Sequence, residues 1–114
     1  MEKMLFALPI LPGKTAAARA FLKELEGPRK EQFAVSERRL GVVEEVWAIQ
    51  AGAQGDLLVA YGAAPNLANA FQQFAASKDD FDQWFKTRLG EVTGADLNVP
   101  PTAPMSEILS DYHA

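Results

Sequence analysis

The residues Val42-Val43-Glu44-Glu45-Val46-Trp47-Ala48-Ile49-Gln50 are rich in β-branched and aromatic side chains, and strand alternation sorts them into two rows. Val43, Glu45, Trp47 and Ile49 share one face, and Val42, Glu44, Val46, Ala48 and Gln50 share the other. After the break Ala51-Gly52-Ala53-Gln54-Gly55, the run Asp56-Leu57-Leu58-Val59-Ala60-Tyr61 alternates in the same way, with Leu57, Val59 and Tyr61 against Leu58 and Ala60. Two antiparallel strands joined by a turn are predicted. Both faces carry large apolar groups, so both need cover, and one layer of helices can cover only one of them.

Met4-Leu5-Phe6-Ala7-Leu8-Pro9-Ile10 predicts an earlier strand, apolar on both faces, with Pro9 near its end where a missing ladder donor does least harm. Gly13-Lys14-Thr15 has the tail of a phosphate-binding loop, but that motif needs a glycine where Leu8 stands, so a turn and helix start is the better reading. Residues 14–26 set Ala18, Phe21, Leu22 and Leu25 at helical spacing. Gly27-Pro28 interrupts them, and Pro28 opens a second helical segment that continues through Phe33 and Arg38 to Leu40. Past Ala64-Pro65-Asn66, the positions Leu67, Ala70, Phe71 and Phe74 follow the i, i+3, i+4, i+7 template. Ser77-Lys78-Asp79-Asp80 has the form of an N-cap with an acid three residues on, so the next helix is expected to start there and to stop at Gly94. Its stripe is Phe81, Trp84, Phe85, Leu89 and Val92.

Residues 95–104 contain Pro100, Pro101 and Pro104 and are expected to form an extended surface connector. The final run, residues 105–114, fits two patterns. Ile108, Ser110 and Tyr112 against Leu109, Asp111 and His113 suit a strand, whereas Ser106-Glu107-Ile108-Leu109 suits one helical turn. A strand is preferred, because the first strand needs a partner.

A chain of 114 residues is the size of one domain, here taken as residues 1–114. The net charge of −4 offers no basic footprint for nucleic acid or an anionic membrane surface. The absence of cysteine removes thiolate chemistry and disulfides and fits a reducing, cytoplasmic location. Lys3, the apolar residues 4–11 and Ala16-Ala17-Ala18-Arg19-Ala20 imitate a secretory signal, but Pro9 and Pro12 interrupt the run and a helical pattern follows directly. No stretch reaches membrane-spanning length.

The order strand, helix, strand, strand, helical pair, strand is the split β-α-β, ferredoxin-like arrangement of an α+β protein, with helices on one face of an antiparallel sheet. A second copy covering the other face, in a two-fold dimer, is the simplest solution. The chain resembles the dimeric α+β barrel superfamily, which includes antibiotic-biosynthesis-monooxygenase-like domains, and more narrowly small uncharacterised bacterial ferredoxin-like proteins. The likeness is carried by Glu45-Val46-Trp47, by Leu58-Val59-Ala60-Tyr61, by Phe81-Asp82-Gln83-Trp84-Phe85-Lys86 and by Gly94-Ala95-Asp96-Leu97. It implies a homodimer and a cleft between sheet and helices that takes a small organic molecule, without metal or flavin.

Glu45 shares a strand face with Trp47 and Ile49; on a buried face it would lose solvation and become a proton donor or acceptor, and otherwise it pairs with a cation such as Arg38 or Arg39. His113 is the only histidine and becomes a general base only if the last strand aims it into the cleft with Tyr61 or Glu45. Trp47, Tyr61, Phe81 and Trp84 are the expected ligand-contacting residues, the remaining aromatic side chains being core. Asp79, Asp80 and Asp82 read as helix-dipole complements and surface charge, and Glu31 and Glu37 as counterweights to Arg29-Lys30 and Arg38-Arg39 on a solvated face. One histidine and no cysteine offer no metal site, and no cofactor is expected. Three functions stand: a binder of a small, partly apolar molecule; a cofactor-independent enzyme of monooxygenase-like or isomerase-like type; and a structural dimerisation domain.

Overall fold

The computed structural model describes residues 1–101 and 105–114. Strand β1 (Glu2–Pro9) precedes helices α1 (Thr15–Glu24) and α2 (Lys30–Leu40), the hairpin β2 (Glu44–Gln50) and β3 (Leu57–Ala64) follows, and α3 (Leu67–Ala76) and α4 (Asp80–Thr93) complete an α+β fold. The sheet is antiparallel with β3 in the centre, in the order β1-β3-β2. Its register sorts the side chains into cross-strand rows. Met4–Gly62–Glu45, Phe6–Ala60–Trp47 and Leu8–Leu58–Ile49 lie on the face under the helices, while Leu5–Tyr61–Val46 and Ala7–Val59–Ala48 lie on the other.

The central strand contributes small groups to the helix side, Ala60 and Gly62, and the edge strands contribute large ones. Phe6 and Trp47 therefore lean in over β3 until their rings meet edge to face at 5.8 Å. Above them Phe85 of α4 is a hub: the rings of Phe21, Phe74 and Trp47 stand around it at 5.2, 5.6 and 5.6 Å, and Phe33 stacks on it at 6.5 Å. Phe21, Leu58, Phe85 and Leu89 are buried in this core, and each such side chain contributes roughly 1.5–3 kcal/mol on burial. A turn through Gly27-Pro28 separates α1 from α2, as the interrupted pattern predicts, but Pro28 lies within that turn and α2 opens at Lys30.

The helix ends show why the elements stop where they do. Asn66 caps α3 by accepting from the Asn69 amide at 3.0 Å. Gly94 ends α4 at φ +79, a backbone conformation that side chains disfavour. The cap of α4 lies two residues later than the sequence suggests: Asp79, not Ser77, accepts from the Phe81 and Asp82 amides. Ser77 is drawn away by a buried partner, Asp82.

The last segment is neither of its two predicted forms. Residues 105–114 make no regular strand or helix; the Ser106 amide donates to the Leu5 carbonyl at 2.8 Å, and farther on Asp111 reaches Lys3 at 2.7 Å. Leu109 and Tyr112, 84 % and 87 % exposed, find no apolar surface that would fix a second row of ladder bonds. The preferred fourth strand is thus replaced by a tail lying along β1. Of the predicted connector, residues 102–104 lie outside the described residues. No helix among the described residues is long and apolar enough to cross a membrane.

Candidate functional site

Between the sheet and helices α2, α3 and α4 lies a partly open cavity of about 360 Å³. Its lining is apolar apart from a few groups, among them Ser36, Glu37, Glu45 and Asp96. The connector after α4 forms one wall through Leu97, Val99 and Pro100, so a segment expected only to run over the surface also encloses space.

Two carboxyls meet in this cavity. Glu45 enters from β2 because the pleat that turns Trp47 inward turns Glu45 inward too, and the Trp47 indole Nε1 donates to its Oε1 at 2.6 Å. Glu37 enters from α2, where Phe33, Ser36, Glu37 and Leu40 follow the i, i+3, i+4, i+7 spacing of an inward stripe. Burial, a hydrogen bond to Glu45 and the charges of Glu45 and Asp82 push the Glu37 carboxyl up to about 10. At neutral pH Glu37 therefore carries a proton and donates it towards Glu45. A proton donor and a proton acceptor side by side in an apolar cavity are the elements of general acid–base chemistry.

Behind Glu37 stands a second polar cluster. Asp82 of α4 is fully buried, accepting from Ser36 Oγ at 2.5 Å, from Ser77 Oγ at 2.6 Å and from the Arg39 guanidinium at 2.6 Å. These three donors offset the loss of hydration that a buried carboxylate suffers. Lys86, 3 % exposed, donates to the carbonyls of Phe74, Ala75 and Ser77, which satisfies the end of α3. Burial, and next the nearby Lys78 charge, lowers the Lys86 pKa.

Of the residues singled out from the sequence, Glu45, Trp47 and Phe81 line the cavity. The other three are placed elsewhere. Tyr61 is on the opposite sheet face, its hydroxyl donating to Glu44 at 2.9 Å, because it is one residue out of step with Ala60. Trp84 turns outward on α4, packing on Phe21 and Phe81 with the Arg29 guanidinium 4.0 Å above its ring. His113 is in the exposed tail with its Nε2 2.8 Å from Lys3 Nζ and 3.0 Å from Asp111, because no last strand exists to aim it inward. Sequence reasoning also placed Glu37 and Asp82 on solvated faces. For Glu37 the signal was present: it is four residues after Phe33 and three before Leu40. For Asp82 it was weaker, a single acid directly following Phe81 in the stripe of α4.

No protein-family model matches the sequence, and no curated protein is similar to it at a significant level. Among solved structures, the fold is similar to that of L-rhamnose mutarotase from Formosa agariphila, with a TM-score of 0.62 and 15 % identity over 98 % of this chain and 100 % of that one. At this identity the likeness concerns architecture, and it places the chain among ferredoxin-like α+β folds.

Proposed function

We propose that the protein is an isomerase-like enzyme that needs no cofactor and moves protons on a small, largely apolar molecule held between sheet and helices. The observation that carries this reading is the Glu37–Glu45 pair, with one proton held high by burial, inside the apolar cavity. Glu45 takes a proton from a carbon next to a substrate carbonyl while Glu37 gives its proton to the carbonyl oxygen, leaving an enol. The pair keeps its total charge throughout, and passing one proton back between the two carboxyls resets it. Trp47 holds one Glu45 oxygen, which leaves the other for Glu37 and substrate.

The fold likeness to a mutarotase supports the reading in its coarse form, since interconverting sugar anomers is also a proton relay. A sugar's ring of hydroxyls would find few partners on this lining, so the proton chemistry is the part taken over. The monooxygenase-like alternative is less favoured, because proton transfer alone uses only groups that line the cavity. We also infer that a second copy covers the open sheet face, where Val46 is 53 % exposed beside Leu5 and Val59.

The test is deuterium exchange at the carbons flanking the carbonyl of 1-phenylpropan-2-one, followed by NMR in heavy water. The wild type is expected to accelerate exchange, and Glu37→Gln and Glu45→Gln to lower the rate by about 10²-fold or more. Equal rates for the wild type and the double glutamine variant would remove the catalytic reading. Sedimentation tests the assembly: a dimer that Val46→Lys dissociates is expected, and a wild-type monomer would overturn it.

A further inference from the structure

The cavity is charged in one sense only. Among the described residues that line it, Glu37, Glu45 and Asp96 are acidic, and none is lysine, arginine or histidine. Two basic groups on the helices that wall the cavity are committed elsewhere, Arg39 to Asp82 and Asp79, and Lys86 to the carbonyls at the end of α3. Around the carboxyls stand aromatic rings from every layer: Phe6 from β1, Phe33 from α2, Trp47 from β2, Phe74 from α3 and Phe81 and Phe85 from α4. The volume of about 360 Å³ is that of a small-molecule site.

We infer that this cavity selects an organic amine, bound as its ammonium ion with the charge against the Glu37–Glu45 pair and the apolar remainder among the aromatic rings. The inference rests on the reading of the cavity as the substrate site and names the class of molecule that enters it. An ammonium ion brings the charge that the lining lacks, and aromatic rings offer it the negative face of their quadrupole. A carboxylate of the same shape would be buried beside like charge with no cation to meet it, and a neutral alcohol gains neither benefit nor penalty.

Isothermal titration calorimetry of the full chain with 2-phenylethylamine, 2-phenylethanol and phenylacetate tests this. The amine is expected to bind roughly tenfold or more tighter than the alcohol, and phenylacetate more weakly than either. Glu45→Gln and Glu37→Gln combined should abolish the preference for the amine while leaving alcohol binding in place, which also shows that the variant is folded. Phenylacetate binding as tightly as the amine, an amine preference that survives the double substitution, or no amine binding at all would overturn the inference. If the charge order fails while wild-type deuterium exchange persists, only the substrate class is wrong. If the charge order holds in a chain that catalyses no exchange, only the enzymatic reading is wrong.

Discussion

Glu44 and Glu45 are neighbours in sequence and opposites in environment. Strand alternation sends Glu45 under the helices, where Trp47 donates to it and Glu37 leans against it, and sends Glu44 to the open face, where the Tyr61 hydroxyl is its partner. In the exposed setting the consequence is local: the hydrogen bond to Glu44 raises the Tyr61 pKa, with water close by. In the enclosed setting a second carboxyl is kept protonated far above its ordinary range. The chemistry of a carboxylate in this protein is decided by the side of the pleat, because one side is enclosed by the chain's own helices and the other is not.

The largest expected difference follows directly. Glu45→Gln should slow proton transfer by roughly 10²–10⁴-fold, whereas Glu44→Gln should leave it within about twofold, measured by the deuterium-exchange rate of each variant. Comparable losses in both would mean that the cavity side is not special.

The first turn of α4 offers the same contrast in stability. Asp82 is fully buried against Arg39, Ser36 and Ser77, and Asp80, two residues before it, is exposed. Asp82→Ala should cost about 1–3 kcal/mol in chemical denaturation, since it strands the buried Ser36 hydroxyl and removes the partner of the half-buried Ser77 and the exposed Arg39. Asp80→Ala removes only a favourable interaction with the helix dipole and should cost about 0.3–1 kcal/mol.

Much of this contrast was readable in the sequence. Period-two alternation through residues 42–50 assigned Glu44 and Glu45 to different faces and put Trp47 with Glu45, and the stripes of Phe21, Phe81 and Phe85 marked the core. What alternation does not encode is which polar residues on a mostly apolar face are tolerated. Glu37 and Asp82 were assigned to water because charged side chains usually are there, yet each sits at helical spacing among apolar neighbours. Their burial depends on contacts between α2 and α4, more than forty positions apart in the chain. The tail failed for a related reason. Its strand pattern was genuine, but ladder formation needs a buried face to set register, and Leu109 and Tyr112 have none.

The Glu37 proton gives the next prediction. A carboxyl whose folded value, about 10, exceeds its ordinary value of 4.5 stabilises the fold relative to the unfolded chain fully below 4.5, and that contribution is lost as pH rises towards 10. Over this window the folded state holds a proton that the unfolded state has released, so stability falls with rising pH. Glu37→Gln keeps the shape and removes the titration. It should raise stability near pH 8, flatten the pH profile between pH 5 and 9, and leave stability at pH 4 nearly unchanged. A profile that is equally steep in wild type and variant would place the retained proton on another group.

The smallest effect belongs to the exposed half of the comparison, and there the sign is the whole content. The Tyr61 hydroxyl donates to Glu44, and an ionised Tyr61 would face a carboxylate instead of donating to it, which raises its pKa above the usual tyrosine value. In a Tyr112→Phe background the ultraviolet titration reports Tyr61 alone, because the chain contains two tyrosines. Its midpoint should lie above the ordinary value, and Glu44→Gln should lower it. The same Glu44→Gln change should not alter the amine preference or the Glu37-dependent pH profile, since the backbone of β2 separates the two carboxyls. If it did alter them, charge would be passing through the sheet, and the division into a face under the helices with proton chemistry and an outer face with local hydrogen bonding would fail.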